Sequence, residues 1–363
     1  MAKRVHVDKS LFAVTLVLLF IGLIMVFSAS AVIAKERFDS PYTFVIRQLM
    51  WAVAGMIAMV IAMKVDYHHY KQPAVVFSLL SITTLMLVAV FFLDRSHNTH
   101  RWIKFGGFSF QPSEMAKPAL IIFLAWFLHT RLKAIDDWRH TLIPVAGVTC
   151  LISGLIVLQP DLGTAIVCVA VAASMLFIAG MRMRYFGIAL ANACLPLYFL
   201  LFHVAWRRER ILAFLNPYSD PQGRGFHIIQ SLIAVGTGGL TGAGLMEGKQ
   251  KLFYLPEPHT DFIFAVTAEE FGLAGSLLIV GLFAVFLYRG IRTAVRAKDP
   301  FARLLAIGIT SVVVLQALMN ISVVLGMMPT KGIPLPLISS GGSSLLVTLA
   351  SIGVLLNITR QTE

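Results

Sequence analysis

The sequence predicts an all-α polytopic membrane protein, and three observations carry that prediction. Of 363 residues 58% are hydrophobic and only 13% charged, at a mean hydropathy of +0.81, well outside the balance of a soluble domain. Apolar stretches of about 18 residues or more, enough to cross a ~30 Å hydrocarbon layer, recur from one end to the other. Ionisable residues collect between those stretches. One continuous membrane domain, residues 1–363, is the simplest organisation. A net charge of +12 would suggest nucleic acid in a soluble protein; here the placement of the loops accounts for it, and no nucleic-acid partner is expected.

Ten spans are expected. The first, residues 11–33, follows a tail with Lys3, Arg4 and Lys9; it is too long for a signal-peptide core and is expected to stay as an anchor. The second (43–63) and third (74–93) follow after short connections. The fourth (113–131) has Ser113 as N-cap candidate and carries Glu114 and Lys117 three residues apart, on one helix face that lipid does not suit. The fifth (141–158) and sixth (162–180) are joined by a tight Gln-Pro-Asp turn that sets Asp161 at a helix mouth. The seventh covers 184–204. A connection at 205–260, rich in Gly and polar residues, is long enough to be a functional loop. The eighth, ninth and tenth spans follow at 261–288, 301–326 and 343–358. Cys150, Cys168 and Cys194 all fall inside spans, are odd in number and lack metal-type spacing, so they read as packing residues without disulfides.

Ten spans put both termini on one side. Sixteen Lys and Arg lie in the tails and short loops of that side, against six (Lys35, Arg37, Arg95, Arg101, Lys104 and Lys331) on the other. The positive-inside rule then makes the termini cytoplasmic and turns the 205–260 loop, Glu114, Asp161 and Asp261 outward.

The run 255–270, Leu-Pro-Glu-Pro-His-Thr-Asp-Phe-Ile-Phe-Ala-Val-Thr-Ala-Glu-Glu, concentrates ionisable groups at the mouth of an apolar helix. Charge is costly there, so some of it is expected to work. Asp261 can simply charge a helix N-terminus; but Thr260 is free to cap, and Pro256 and Pro258 stiffen the approach, which presents Asp261 as a general base for a substrate hydroxyl. Glu269 and Glu270 lie about 12 Å deeper and read as buried charges with polar partners. Glu114 and Lys117 can neutralise each other, or Lys117 can join Arg101 and Lys104 in a pocket for an anionic head group. Arg207, Arg208 and Arg210 can supplement that pocket or rest in the lipid interface. Residues 326–344 hold three prolines and four glycines among apolar Ile333, Leu335, Leu337 and Ile338; such irregular backbone at membrane depth must be buried or line a cavity, with Lys331 at its mouth. No Walker motif, dinucleotide fingerprint, zinc spacing or nucleophile elbow is present, so ATP input is not indicated.

In order and spacing, Arg101–Ile103, Gln111–Lys117, Gln159–Thr164, Gly225–Ser231, Pro256–Phe262 and Pro329–Ser339 resemble the SEDS (shape, elongation, division and sporulation) family of bacterial cell-wall polymerases across nearly the whole chain. The Pro-Thr-Lys-Gly run resembles the division (FtsW-like) branch more than the elongation (RodA-like) branch. The resemblance implies a ten-span SEDS fold, multi-pass in the bacterial cytoplasmic membrane with its site facing outward. It implies a peptidoglycan glycosyltransferase that polymerises lipid II, with a class B penicillin-binding protein as transpeptidase partner among other divisome or elongasome membrane proteins. Asp261 would then be the catalytic carboxylate. Arg101, Lys117 and Lys331 are the candidates for leaving-group stabilisation, and Glu114, Asp161, His259, Arg208 and Ser339 complete the candidate substrate-binding set. A divalent cation, magnesium or manganese, can share the electrostatic role, although no ligand spacing demonstrates one. The competing expectation is a lipid II flippase without polymerase activity, for which inverted repeats and discontinuous helices with a midplane site would be the signs.

Overall fold

The computed structural model describes residues 7–94, 100–105, 108–252 and 254–362. Lys3, Arg4 and Arg95, used in the charge balance above, lie outside the described residues. The elements in order are α1 (Lys9–Phe38), α2 (Thr43–Lys64), α3 (Pro73–Leu93), a hairpin of β1 (Ile103–Phe105) and β2 (Phe108–Phe110), α4 (Pro112–Thr130), α5 (Ile143–Leu158), α6 (Leu162–Ile178), α7 (Met183–Phe202), α8 (Ala205–Leu215), α9 (Phe226–Gly238), α10 (Ile263–Arg296), α11 (Pro300–Val324) and α12 (Gly342–Thr362). The antiparallel hairpin, with Ile103 opposite Phe110 and Lys104 opposite Ser109, is a small departure from the all-α expectation.

Among the described residues, eight helices are long and apolar enough to cross a membrane. The expected fourth and sixth spans fall short for different reasons. The nineteen residues of α4 include Glu114 and Lys117, and α6 has only seventeen residues. Helix is the fold such runs adopt because a lipid interior offers no partner to an unpaired backbone group. Starts are written locally. Asp8, Asp161 and Asp299 cap α1, α6 and α11 by accepting backbone N–H bonds at 2.9–3.1 Å, and Pro73, Pro112 and Pro300 occupy first-turn positions. Ser113 does not cap α4: Gln111 stands at that position without a side-chain cap, and the Ser113 hydroxyl, buried, has no partner. The early proline explains this, since it starts the helix two residues sooner than a cap at Ser113 would.

The most enclosed helix is α11, with α10, α4 and α6 around it, while α2 and α12 lie along each other. Cys168 is packed in this core; Cys150 and Cys194 are exposed, and all three are free.

The 205–260 segment is not a plain loop, since it carries α8 and α9. Its turn at 239–244 plugs a break in α10, where Gly272 takes φ 62° and ψ −155°. There the Glu269 and Glu270 carbonyls accept from the Ala243 and Gly244 N–H groups at 3.0 Å, and the N–H groups of Leu273 and Ala274 donate to the Gly239 and Leu240 carbonyls. The break is therefore satisfied by protein. Only glycine suits that φ, and a Cβ there would also press on the Leu240 carbonyl.

Candidate active site

Asp261 stands two residues before α10, whose N-cap position is Phe262 without a side-chain cap. Thr260 is not the cap either, because its hydroxyl donates to the Glu257 carbonyl at 3.2 Å. The backbone around Asp261 is gripped carbonyl by carbonyl. The Asp261 carbonyl accepts from Asn320 Nδ2 at 2.8 Å, that of Thr260 from Ser339 Oγ at 2.6 Å, and that of His259 from the Ser340 N–H at 2.9 Å.

Its carboxylate is left open. Among the described residues no side chain pairs with it, and it faces two adjoining cavities, of about 640 and 370 Å³, that share Trp206, Arg210, Asp261, Thr330, Lys331 and Gly332 in their linings. The larger lobe combines apolar walls (Leu162, Ile166, Leu197 and Leu201) with Arg101, Arg207 and Arg210. The smaller is the more polar of the two, with Glu209, Arg224, His227 and Glu257 in its lining. Burial pushes the Asp261 carboxyl up to about 6 from 3.8; nearby Glu257 adds to the rise, while Arg210 and Arg101 pull it back. A carboxyl held there is a better proton acceptor than an ordinary one and is still ionised at neutral pH.

The cationic groups reach the cleft by three routes. Arg101 is aimed by the 159–160 turn, since its Nε donates to the Gln159 carbonyl at 3.0 Å and its Nη2 to the Pro160 carbonyl. Lys331 lies on the irregular segment before α12 and lines both lobes; burial lowers its ammonium below the usual lysine range. Arg207 and Arg210 come from α8, with their guanidinium carbons 4.9 and 5.1 Å from the Trp206 ring. They sit three residues apart and so share a face; Arg208 lines neither lobe. That i, i+3 spacing beside a tryptophan was the signal that singles out the pair from the cluster.

Other candidates are placed elsewhere. Glu114 and Lys117 pair with each other at 2.7 Å, both buried, and line neither lobe. Asp161 borders the larger lobe, but its oxygens are occupied by the Thr164 N–H and hydroxyl and by Gln111 Nε2. His259 is buried against Phe44, ring centroids 4.5 Å apart, and burial lowers its imidazole below the usual range. Ser339 ties two loops together. Glu269 and Glu270 have the polar partners expected: Glu269 accepts from the Lys249 and Gln250 N–H groups, and Glu270 from Lys251 Nζ at 2.5 Å and Ser28 Oγ at 2.6 Å. Asn320 and Gly332, which sequence reading passes over, stand beside Asp261 itself.

The same chain architecture occurs in known proteins. A family model described as FtsW/RodA/SpoVE cell cycle protein matches residues 8–363. A protein of Geobacter metallireducens named as a probable peptidoglycan glycosyltransferase FtsW is 44% identical over 93% of this chain and 90% of its own. Stage V sporulation protein E of Bacillus subtilis is 45% identical over 99% and 98%. Among solved structures, a chain from a peptidoglycan synthase complex that coordinates polymerization and crosslinking superposes with a TM-score of 0.80 at 28% identity, covering 98% of both chains. The rod shape determining protein RodA of Thermus thermophilus does so at 0.71 and 25% identity, covering 99% and 98%. With the match running from the first described helix to the last, the chain belongs to the FtsW/RodA/SpoVE family of membrane-embedded cell cycle proteins.

Proposed function

We propose that this protein is a peptidoglycan glycosyltransferase that polymerises lipid II, with Asp261 as general base. One observation carries the reading: a carboxylate without a partner, raised to about 6, stands where an apolar lobe and a polar lobe meet and is flanked by Arg101, Arg210 and Lys331. The apolar lobe suits the polyprenyl end of a donor whose pyrophosphate meets Arg101 and Arg210; the polar lobe suits the sugar of an acceptor. Asp261 takes the proton of the acceptor GlcNAc 4-hydroxyl. The freed oxygen pair attacks the anomeric carbon of the donor MurNAc, and the bond to pyrophosphate breaks with its electrons on the leaving oxygen. The α-linked donor thus gives a β-1,4 bond, an inversion that needs one carboxylate rather than a nucleophilic pair. Charge grows on the pyrophosphate as the bond breaks, and the surrounding cations stabilise that state more than the ground state.

No three His, Cys, Asp or Glu side chains cluster as a metal site among the described residues. A magnesium or manganese ion would therefore be held by the donor's own phosphates and water rather than by an all-protein cage, and would supply further neutralisation of the leaving group while Asp261 stays free as the base.

Ten spans, cytoplasmic termini, an outward site in the bacterial inner membrane and a class B penicillin-binding protein as partner belong to the same proposal. It is supported by the positive-inside balance and by the synthase complex that this chain resembles. A septal role, in division or sporulation, is favoured by the names of the relatives at 44 and 45% identity. For a flippase, a discontinuous helix would be expected to line a path. The break in α10 is instead filled by residues 239–244.

The test is polymerisation of labelled lipid II by the purified protein with its partner, comparing Asp261→Asn with the unaltered chain. Loss of polymer at normal expression is expected. Equal polymer from both removes the catalytic assignment, and lipid translocation without polymer assigns a transporter instead.

A further inference from the structure

Two non-helical segments meet at the site, 254–262 before α10 and 325–341 before α12. Neither has a regular ladder to fix it; beside the backbone bond from the Ser340 N–H to the His259 carbonyl, their relative position depends on side chains that reach both. The side chain of Asn320, near the end of α11 and buried to 2% exposure, does so from a single atom. Its Nδ2 gives one hydrogen to the Asp261 carbonyl and the other to the Ile333 carbonyl, each at 2.8 Å. Ser339 adds a second stitch, donating to the Thr260 carbonyl and accepting from the Leu335 N–H at 2.8 Å.

The closeness this enforces is visible at Gly332, the neighbour of Ile333. A Cβ there would stand 3.2 Å from Asp261 Oδ2. The backbone of the Pro-rich segment therefore lies directly against the carboxylate, and Lys331, one residue earlier, opens onto both lobes. A neutral amide suits this post: it supplies two N–H groups from one nitrogen, and it adds no charge beside the base.

We propose that Asn320 is a positioning residue for glycosyl transfer, holding the Asp261 carboxylate at one spacing from the Lys331–Gly332 segment so that base and leaving-group cation act on the same donor–acceptor pair. This rests on the reading of Asp261 as general base. Pairing of two buried carbonyls is a structural service on its own, so stability alone does not test the proposal. Chemistry does. If the clamp sets geometry, its loss lowers kcat with little change in KM, because lipid binding uses the lobes and not Asn320. Release of the Pro-rich segment also admits water to the carboxylate, which moves its titration toward the ordinary range. The charged groups facing Asp261 are Glu257 beside it, Arg210 on α8, Arg101 before β1, Asp161 at the start of α6 and Lys331 across the cleft. None of them hydrogen-bonds Asn320, and their influence persists in the variant.

The experiment compares the full chain with its partner as unaltered protein, Asn320→Ala, Gly332→Ala and Asp261→Asn, measuring lipid II polymerisation per folded molecule against pH and lipid concentration. For Asn320→Ala we expect kcat to fall about 10- to 100-fold, the cost of a misplacement near 1 Å, KM to stay within about 3-fold, and the acid-side midpoint to move to lower pH. A wild-type kcat and midpoint per folded molecule overturns the proposal, leaving Asn320 a stabilising residue only. If Asn320→Ala does not fold, Gly332→Ala decides, since it alters the same spacing with Asn320 intact; a kcat loss at unchanged KM supports the proposal and a wild-type kcat overturns it. Activity in Asp261→Asn removes the underlying reading, whatever the other variants do.

Discussion

At the scale of single residues, the site depends on a carboxylate that folding leaves short of partners. Buried acids elsewhere among the described residues have partners: Asp161 at a helix start, Glu114 with Lys117, Glu269 with backbone N–H groups and Glu270, through one oxygen, with Lys251. Two pH consequences follow for Asp261. As the proposed base it must be ionised, so polymerisation should climb with pH through about 6 and level off above it. For stability the sign is opposite. The folded-state value lies above the 3.8 of an unperturbed Asp, so the contribution is greatest below pH ~4 and is lost as pH rises through about 6. Asp261→Asn should therefore gain on the order of 2 kcal/mol at pH 7 while losing activity, and the gain should vanish near pH 4. Thermal unfolding in detergent at both pH values checks this; an equal midpoint at pH 7 would show that the carboxylate is not desolvated. Asp261 was legible in the sequence because charge, proline and a helix mouth coincide there. Arg210 was less so, because the sequence shows a cluster and only the helical face shows which members turn inward.

At the scale of elements, the segment between α7 and α10 shows what pattern reading misses. Its glycines and polar residues suggest an open loop, yet they serve close contacts: Gly238 lies against the Ala268 carbonyl and Gly242 against that of Glu270. Hydropathy found the spans because burial in lipid depends on composition. It gave no sign of the break at Gly272, whose hydrogen bonds lie some thirty residues away in the chain. Two successive carboxylates fasten this segment, with Lys251 and Glu270 both buried beside Ser28. Lys251→Met should cost about 3–5 kcal/mol, since it leaves a buried charge without its partner. The double variant Lys251→Met, Glu270→Leu should recover most of that loss. Denaturation in a common detergent distinguishes the cases, and a single variant as stable as the parent would mean that water reaches Glu270.

At the scale of the whole molecule, the tight core on one side contrasts with the exposure of α7 on the other. No residue of α7 is buried, and its base is tied down where Tyr185 Oη donates to the Asp136 carbonyl at 2.9 Å. The larger lobe is walled by Leu197 and Leu201 of this helix and by Leu162 and Ile166 of α6. On the proposed reading, a cavity of about 640 Å³ would hold only the head and first units of a long polyprenyl chain, and the remainder would leave sideways past α7 into the bilayer. On that reading the protein would sense chain length near the head and ignore it further out. Leu201→Trp, which adds bulk to the apolar wall of the lobe, should raise KM for a long-chain lipid II several-fold and leave kcat near its parent value. A donor whose lipid is cut to a few isoprene units should be hindered as much, because the conflict lies at the head. Steady-state assays with both donors decide it: an effect confined to the long donor would place the chain's route elsewhere, and no effect on either would take the donor out of this lobe.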